Sequence, residues 1–584
     1  RYELAAANNI EEFQKIRSQI KLTDYEFKYT ARAQTDFTDP KMYAKIVGDL
    51  VNGKYVSPDE DDEIQLGGKI EIIDVWKHIS VVFIDALRDV ESELHKPKNP
   101  IRKIVDAIQS KIKEADKEDI KQKIRDLNNT ISGVDQIADV GNKINGKLNE
   151  MIGLVYSPDI TLESQLKDDL NSVARYLTMI PTNQTDIEQL GLGHLNMIYV
   201  ALKLVEFELN RTHELINIMI IEEPEAHIHT HIQKTLFENL NETQYYTQVL
   251  MTTHSTHLSE VSDISKMNIL KSEKNVTKVM QPTNGLDEFG KDVLKLKVPI
   301  IKALERYLDA KRSVLLFSKG VMLVEGDGEE IIIPHLIKAV FGVSLDELGI
   351  GLINIGSVGF ENVACIFDEM RLQRYCAIVT DEDIQINGAK HFSERAEELG
   401  KSRKEKLDSL FKSNHYVKSF YAHHTLEVDF ANEDGNTEYI SKVINKLYKD
   451  KSSIKEHKAN LNGNEIQKYD TVLTVANSTG KGWFATVLSE EIDAATLIPK
   501  YIIEAITFSS QEVLNQSIIL KMIKYSLEAY NEEYKVAQLL IEQFTSAISE
   551  EEKENLILDF CDKLPNDMIT ILIKLNRKYK EQYD

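Results

Sequence analysis

Cysteines and long apolar runs are both scarce in this chain. Its 584 residues include three cysteines, Cys365, Cys376 and Cys561, too few to cross-link a secreted fold. We therefore expect small buried apolar side chains at these positions rather than metal ligands or redox centres. No stretch approaches the roughly 18 apolar residues of a membrane-spanning helix, and no signal-peptide pattern opens the chain. These absences predict a cytoplasmic protein with no membrane contact.

The charge balance is acidic. Lys and Arg number 70 and Asp and Glu number 94, which gives a formal net charge of −24. A chain of this charge repels phosphate, so a basic sleeve for nucleic acid is excluded. Any contact with DNA or RNA must use a local basic strip or bridging metal ions. The hydrophobic share of 42% excludes a disordered chain, and the length predicts roughly three to four domains.

The first 150 residues contain two predicted strands and a long predicted helix. Residues 23–34 and 69–84 are rich in β-branched and aromatic residues, which indicates strands. From about 100 to 152, apolar residues recur at a spacing near 3.5 among charged residues, which indicates a helical arm. They are Ile120, Ile124, Leu127, Ile131, Val134 and Ile137. The stripe fits an amphipathic helix on a globular core or a protruding coiled-coil arm that dimerises.

The rest of the chain alternates strands and helices, which predicts an α/β fold. A glycine-punctuated turn and a helix occupy 189–208, a buried strand 216–222 is followed by a helix, and another strand covers 248–253. After about residue 306 a second alternation of strands and helices follows, with predicted strands at 313–317, 321–325, 351–355, 376–380 and 417–421. Residues 501–584 have a helical pattern that breaks around Pro565.

The segment IMIIEEPEAHIH (218–229) has the form of a Walker B strand. An apolar strand delivers two carboxylates at its end, where the first, Glu222, would hold Mg²⁺ through water. The second, Glu223, would orient or deprotonate the attacking water. Adjacent strand residues point to opposite faces, so the two carboxylates can serve different tasks.

Two further segments accompany this strand in the order of an ABC-type ATPase. His254, in TTHSTHLS (252–259), follows the next apolar strand and is placed like a switch histidine that senses a γ-phosphate. Gly191, Gly193 and Asn196 lie in LGLGHLN, where a glycine-rich turn before a helix can present backbone amides to an anion. This turn resembles a degenerate ABC signature loop. The ordered set predicts bound ATP.

A complete P-loop is absent from the sequence. The motif requires G-x-x-x-x-G-K-[ST] between a strand and a helix. The nearest match, GNKINGKL at 141–148, ends in Leu148 and lies in the predicted helical arm, so we reject it. Because ABC-type cores place the P-loop first, we expect it before Arg1. The alternative is a degenerate ATPase that does not hydrolyse ATP.

Three histidines in HIHTH (227–231) do not predict a zinc site. They follow Pro224 and Glu225, which indicate the start of a helix. Residues two apart do not share a helix face.

A carboxylate cluster is predicted in the second α/β region. VMLVEGDGEE (321–330) is an apolar strand that ends at Glu325, with Glu329 at the next helix start. AIVTDED (377–383) is a second apolar strand that ends in Asp381 and Asp383, which share one side if the chain stays extended. Mutually repelling carboxylates at buried strand ends need a cation. Oxygen ligands favour Mg²⁺ or Mn²⁺ over zinc.

The pattern E-G-x-x-E followed by D-x-D resembles the Toprim domain of topoisomerases, primases and OLD-family nucleases. An ABC-type ATPase before a Toprim domain is the arrangement of the OLD (overcoming lysogenization defect) family, which includes the Gabija nuclease subunit and some retron effectors. Matching segments are FIDALRDVESEL (83–94), QLGLGHLN, IIEEPEAHIH, TTHSTHLS, LVEGDGEE, TDED, TLEVDF and GKGWFA. The resemblance implies an ATPase domain over 1–305 with its helical arm, a Toprim domain over 306–500 and a helical extension over 501–584.

The resemblance also implies functional residues beyond the two strand ends. Glu427, in HTLEVDF, would be a further metal ligand, and Lys481, in STGKGWFA, would stabilise charge on the phosphate. Lys481 alone is equally compatible with a solvated loop lysine. The basic stretch 401–406 fits either a guide for the DNA backbone or a solvated helix face.

The implied activity is a metal-dependent DNA endonuclease regulated by ATP, with two Mg²⁺ or Mn²⁺ ions in each nuclease site. The implied setting is anti-phage defence by a homodimer or higher oligomer. Its partner would be a helicase-like subunit, as in Gabija, or a reverse transcriptase with its DNA–RNA product, as in retrons. The competing hypothesis is an ABC-type ATPase that clamps DNA or protein or acts as a sensor, with an inactive Toprim cluster.

Overall fold

A computed structural model gives the fold. It describes residues 10–19, 79–86, 111–136, 191–210, 216–230, 247–257, 263–273, 276–286, 300–308, 312–356, 359–529 and 549–583, with the shorter stretches 21, 30–31, 41, 68–69, 103–104, 139–140, 142–143, 145, 164, 166 and 233. Contacts divide the chain into two compact units. The first comprises 1–229 with 242–253, and the second 230–241 with 254–584. The domain boundaries at 305 and 500 stay predictions.

The first unit contains a three-stranded parallel sheet. Its helices are α1 (Ile10–Gln19), α2 (Glu114–Ser132) and α3 (Leu192–Asn210), and its strands are β1 (Thr30–Ala31), β2 (Gly68–Lys69), β3 (Ile79–Ile84), β4 (Ile216–Glu222) and β5 (Thr247–Thr252). β4 lies between β3 and β5 in the sheet, while β1 and β2 form a separate antiparallel pair. The predicted strands over 216–222 and 248–253 and the helix over 189–208 are confirmed. Most of the predicted strand 23–34 lies outside the described residues.

The helical arm is described over α2. Gly133 ends the helix, with its amide donating to the Asn129 carbonyl at 2.9 Å, so the apolar stripe does not run on unbroken from Ile131 to Val134. No α2 residue is buried, and Leu127 is 49% exposed. Whether this stripe pairs in a coiled coil stays a prediction.

The segment after β4 differs from the predicted helix start. Residues 224–227 form a turn, and helical residues begin at Thr230. The cause is a left-handed backbone at Glu223 and His227, with φ of 41° and 64°, which helical geometry does not permit. The helix-face objection to zinc therefore does not apply to His227 and His229, while His231 lies outside the described residues.

The second unit is built on a four-stranded parallel sheet. Its strands are β6 (Ile269–Glu273), β7 (Val276–Met280), β8 (Gly320–Val324), β9 (Ile350–Asn354), β10 (Cys376–Asp381) and β11 (Val417–Ala422). The sheet order is β11-β10-β8-β9, and β6 and β7 form an antiparallel hairpin. The predicted strands at 321–325, 351–355, 376–380 and 417–421 are confirmed to within one residue at each end.

Helices cover this sheet and continue to the end of the chain. They are α4 (Ile300–Tyr307), α5 (Asp327–Phe341), α6 (Glu361–Ala364), α7 (Glu394–Leu410), α8 (Leu426–Asn432), α9 (Thr437–Leu447), α10 (Lys451–Leu461), α11 (Glu465–Thr479), α12 (Lys481–Ser489), α13 (Lys500–Ser509), α14 (Gln516–Ala529), α15 (Glu550–Lys563) and α16 (Met568–Tyr583). In the described part of 501–584 the predicted helical character and the break near Pro565 are confirmed. No helix of the described ranges is long and apolar enough to cross a membrane.

The central strands are buried on both faces. Every residue of β8 and β10 is buried. Met322 and Val324 belong to the core on one face of the sheet, and Val321 and Leu323 belong to the core on the other. Continuous apolar strands of this kind are typical of a parallel sheet between helical layers. The cysteines are also buried and free, as their scarcity predicts.

One predicted strand is wrong. Residues Arg312–Leu316 form a 3-10 helix rather than a strand. Leu315 and Leu316 are both buried, which a strand with alternating faces does not achieve against a single core. The amides of Phe317 and Ser318 both donate to the Val314 carbonyl at 3.0 Å, which turns the chain into β8.

Candidate functional site

The acidic strand ends of the second unit meet at one edge of its sheet. Glu325 directly follows β8, and Asp381 is the last residue of β10. These strands are parallel neighbours with Val324 opposite Val379. Their carboxyl ends therefore lie side by side.

Local hydrogen bonds orient the two glutamates. The Thr380 hydroxyl donates to Glu325 Oε2 at 2.8 Å. Glu329 lies in the first turn of α5, and its Oε2 accepts from the Gly326 amide at 3.2 Å. This capping interaction turns the Glu329 carboxylate back towards the end of β8.

The carboxylates perturb one another. Burial raises the pKa of the Asp381 carboxyl well above its ordinary value, and repulsion from Glu329 adds to the effect. Asp381 is only 8% exposed. Burial also raises the pKa of Glu329 to about 7, with repulsion from Glu427 contributing. Buried acids that repel one another in this way are characteristic of functional sites.

Glu427 and Lys481 bring opposite charges into the same cluster. Glu427 lies on α8 and is 2% exposed. Lys481 is the first residue of α12, and its Nζ lies 3.3 Å from Glu427 Oε2. Desolvation lowers the pKa of Lys481, but the charges of Glu427, Asp381 and Glu329 outweigh it and raise the pKa overall. Lys481 is therefore paired with the acidic cluster at the start of a helix, and its side chain is 47% exposed.

Asp383 is placed differently from the extended geometry that its spacing predicts. Its φ is 54°, so the chain leaves the extended region beyond Asp381. Arg403 on α7 donates to the Asp381 carbonyl and to Asp383 Oδ2, the latter at 3.0 Å. The same guanidinium lies 3.8 Å from Glu325 Oε2. Burial raises the pKa of Asp383, and the charge of Arg403 opposes this rise.

The basic stretch 401–406 is neutralised by acidic neighbours. The side chains of Lys401, Lys404 and Lys406 form ion pairs at 2.5, 2.6 and 2.5 Å. Their partners are Glu397, Glu382 and Glu361. With Arg403 directed at Asp383, this helix face is not a strip of unpaired positive charge.

Three polar residues at this edge carry weak sequence signals or none. Thr380 and Asn354 lie at strand ends, which is the one available hint. Asn354 Nδ2 donates to Asp327 Oδ1 and to Glu330 Oε2, both at 2.8 Å. Arg403 has no such signal, because its contact depends on how α7 packs against the sheet.

The donor set suits a divalent cation. All five acidic side chains, Glu325, Glu329, Asp381, Asp383 and Glu427, offer oxygen, which hard cations prefer. Glu427 Oε2 is buried, and apart from its ion pair with Lys481 at 3.3 Å it has no hydrogen-bond partner among the described residues. As placed, no three His, Cys, Asp or Glu side chains of the described ranges form a ready metal site. Lys481 and Arg403 lie among the acids, yet five carboxylates against two bases leave a deficit of positive charge.

The predicted ATP-site acids lie at the end of β4 in the first unit. Glu222 is the last residue of the strand, and its Oε2 accepts from the Ala86 amide at 3.4 Å. The Glu223 amide donates to the Thr252 carbonyl at 3.0 Å. Thr253 donates its hydroxyl to Glu225 Oε1, a contact that the sequence did not indicate. His254 follows β5 and is assigned to the second unit.

The glycine-rich turn packs against the segment that follows β4. A Cβ atom on Gly193 would lie 2.5 Å from the His227 carbonyl oxygen, whereas one on Gly191 would meet nothing within 4 Å. Asn196 is 3% exposed, and its Nδ2 donates to the Ala226 carbonyl at 2.7 Å. Gly193 and Asn196 therefore tie the start of α3 to the turn after β4. Their role in nucleotide binding stays a prediction.

Two family models match the chain in the predicted order. A model described as an AAA ATPase domain matches residues 5–259. A model described as the Toprim domain of overcoming lysogenization defect protein-like proteins matches residues 316–383. The second match contains β8 and β10 with Glu325, Glu329, Asp381 and Asp383.

Curated relatives share parts of the chain. Endonuclease GajA from Bacillus cereus is 25% identical over 279 residues, 43% of this chain and 39% of that protein. Old nuclease from Escherichia phage P2 is 25% identical over 302 residues, 48% of this chain and 49% of that protein. The match thus spans about half or less of these relatives. The C-terminal region of the Burkholderia pseudomallei OLD protein is 22% identical with a TM-score of 0.28, covering 34% of this chain and 100% of that one.

The chain is an α/β protein that matches a model of an AAA ATPase domain and a model of an OLD-like Toprim domain, and its C-terminal part is helical. Over part of its length it is similar to the GajA and OLD nucleases.

Proposed function

We propose that this chain is a metal-dependent DNA endonuclease regulated by its ATPase domain. The observation that carries the proposal is the buried cluster around Asp381, in which carboxylates from three separate segments face Lys481. Two relatives bear the names endonuclease GajA and Old nuclease, which supports hydrolysis of phosphodiesters.

We assign the binding of two Mg²⁺ or Mn²⁺ ions to the five carboxylates of the cluster. When bound, such ions activate water and offset charge on a leaving oxygen. Thr380 holds Glu325 in place, and Arg403 holds Asp383 and the backbone at Asp381. Lys481 is positioned to offset negative charge on the phosphate in the transition state.

The ATPase domain would bind ATP through Glu222, Glu223, His254 and the glycine-rich turn. Assembly as a dimer or higher oligomer would complete this site, as the signature-loop resemblance implies. We further propose a cytoplasmic anti-phage defence role. DNA would be the substrate, and a helicase-like subunit or a reverse transcriptase with its DNA–RNA product would be the partner.

Plasmid nicking tests the nuclease assignment. Supercoiled plasmid is incubated with Mg²⁺ or Mn²⁺ and wild type, Glu325→Ala or Asp381→Ala. Glu369→Ala is the matched control, because its side chain is 67% exposed and precedes β10 at the opposite edge of the sheet. We expect nicking by wild type and the control and none by the two site variants. Equal nicking by all four proteins would contradict the assignment of the nuclease site.

A second candidate function has one observation in its favour. Lys481 pairs with Glu427 and Arg403 pairs with Asp383, so bases already neutralise part of the cluster. A clamp or sensor ATPase with an inactive Toprim domain would have this arrangement. It predicts ATP-dependent dimerisation, measured as molar mass by light scattering, without cleavage of DNA under any divalent ion.

A further inference from the structure

Trp483 is an exposed tryptophan next to the carboxylate cluster. The chain contains two tryptophans, and Trp483 is 62% exposed on the first turn of α12. Its neighbours Phe484 and Ala485 are fully buried, so the helix has a core-facing side that the indole does not join. Tryptophan is enriched at binding interfaces, where its ring supplies a large apolar contact area.

An open cavity lies beside the indole. It measures about 640 Å³, and its lining includes Trp483 and Pro334 as well as the polar residues Asp327, Glu330 and His335. Asn354 donates to both acids of this lining at 2.8 Å, which fixes their positions. The His335 Nδ1 atom lies 2.8 Å from the Ile331 carbonyl oxygen, a contact that fixes the orientation of the ring.

The charge of this cavity decides what it can hold. Two carboxylates on its wall repel phosphate, so the sugar–phosphate backbone is a poor occupant. A nucleobase is neutral, offers a flat ring to stack on the indole, and can present amino groups to the acceptors. The cavity therefore favours the base of a nucleotide over its phosphate.

The cavity and the carboxylate cluster share the same two segments. A Cβ atom on Gly482 would lie 3.3 Å from Asp327 Cβ, so the start of α12 packs directly on the turn between Glu325 and Glu329. Lys481 enters the cluster from this start, and Trp483 lies two residues further along. The start of α12 therefore borders both the cluster, through Lys481, and the cavity, through Trp483.

We propose that Trp483 is a stacking platform for an unpaired nucleobase beside the phosphate at the carboxylate cluster. This inference rests on the proposed nuclease function and adds a substrate feature: the DNA must offer a base that has left its stack. Stacking on one aromatic ring is sequence-tolerant. Trp483 would therefore select for strand state rather than for sequence.

Binding and cleavage by substituted full-length chains test the platform. Trp483→Ala and Trp483→Phe are compared with Met370→Ala, a side chain that is 67% exposed near the opposite edge of the sheet. A single-stranded oligonucleotide and an abasic strand of equal length are titrated in Ca²⁺. We expect Trp483→Ala to weaken binding of the base-bearing strand roughly 10-fold or more, with Trp483→Phe nearer to wild type and the abasic strand unaffected.

Tryptophan fluorescence provides a readout that does not need cleavage. In a Trp76→Phe background, Trp483 is the single tryptophan, and its emission should be quenched by the base-bearing strand and not by the abasic strand. If wild type cleaves DNA but Trp483→Ala cleaves and binds equally well and no quenching occurs, the stacking inference is wrong and the nuclease remains. If no divalent ion supports cleavage, the proposed function fails, and quenching still decides the platform. A changed molar mass of Trp483→Ala with unchanged binding would make this face a protein interface and overturn the proposal.

Discussion

A few individual residues set the balance of positive and negative charge in the carboxylate cluster. Asp381 is 8% exposed, so it is costly to ionise without a compensating charge. Glu427 is 2% exposed, and the Lys481 ammonium lies 3.3 Å from its carboxylate. Lys481 and Arg403 supply part of that charge from two different helices. Substitution of Lys481 and substitution of Arg403 should therefore have different effects.

Replacing Lys481 should remove cleavage and leave metal binding intact. We expect Lys481→Met to lower the nicking rate by about 10²- to 10³-fold, the usual loss when a charge-stabilising donor is removed. The affinity for Mn²⁺ should not fall, because the lysine opposes a cation in the same cluster. Lys446→Met is the control, since that lysine is 43% exposed and also ion-paired. Unchanged nicking by Lys481→Met would contradict a role in the reaction.

Replacing Arg403 should affect stability as well as cleavage. Its side chain is 11% exposed and bonds Asp383, so Arg403→Met leaves a carboxylate without its partner and should lower the free energy of unfolding by about 3 kcal/mol. Arg577→Met breaks the pair with Glu554, in which both side chains are more than 40% exposed, and should cost less than about 1 kcal/mol. Urea denaturation compares the two. Similar losses would show that Arg403 acts as an ordinary surface partner.

At the scale of elements, the parallel register of β8 and β10 places acids from distant segments together. Close packing of helices on this sheet holds that register. Gly342 ends α5 with φ of 68°, and a Cβ atom there would lie 2.2 Å from the Tyr525 ring on α14. The C-terminal helices therefore pack against the same helix whose start carries Glu329.

Gly342→Ala should loosen this packing. The left-handed backbone costs about 1–2 kcal/mol for a non-glycine residue, and overpacking adds about 1–3 kcal/mol. Gly435→Ala is matched, because its φ is 85° and a Cβ atom there meets nothing within 4 Å. The difference in thermal unfolding between the two variants isolates the Tyr525 contact. Equal midpoints would show that the ring moves aside without loss.

For the molecule as a whole, stability and metal binding should be linked. A ligand that binds only the folded state stabilises it by about 2.7 kcal/mol when present at 100 times its dissociation constant. We expect Mn²⁺ to be such a ligand of the proposed metal site, because Lys481 and Arg403 offset only part of the charge of its carboxylates.

Asp381→Asn should stabilise the metal-free protein and remove the additional stability that Mn²⁺ gives to wild type. Removal of a buried charge should raise the melting temperature of the metal-free protein, and the rise that Mn²⁺ produces in wild type should be lost. Differential scanning fluorimetry with EDTA and with Mn²⁺ measures both effects, and the exposed Glu369→Ala variant should behave as wild type. An undiminished Mn²⁺ shift in Asp381→Asn would place the metal elsewhere.

The α/β class, the order in which the two family models match and most strands of the second unit were predictable from the amino-acid sequence. These features are predictable because continuous apolar runs that end in acidic residues are local sequence patterns, which do not depend on how the elements pack. The same strand ends predicted that four acidic residues lie near one another: Glu325, Glu329, Asp381 and Asp383.

The pairing of the charged side chains depends on how the elements pack and was not predictable from the sequence. Arg403 appeared to belong to a basic stretch, yet it bonds Asp383 across 20 residues of chain, while the lysines around it pair with acids. The turn at 224–227 and the 3-10 helix at 312–316 likewise replaced predicted regular elements. The contact of Arg403 joins groups that apolar periodicity cannot relate. The two turns follow from local backbone conformation, at Glu223 and His227 and around Val314, which apolar spacing does not encode.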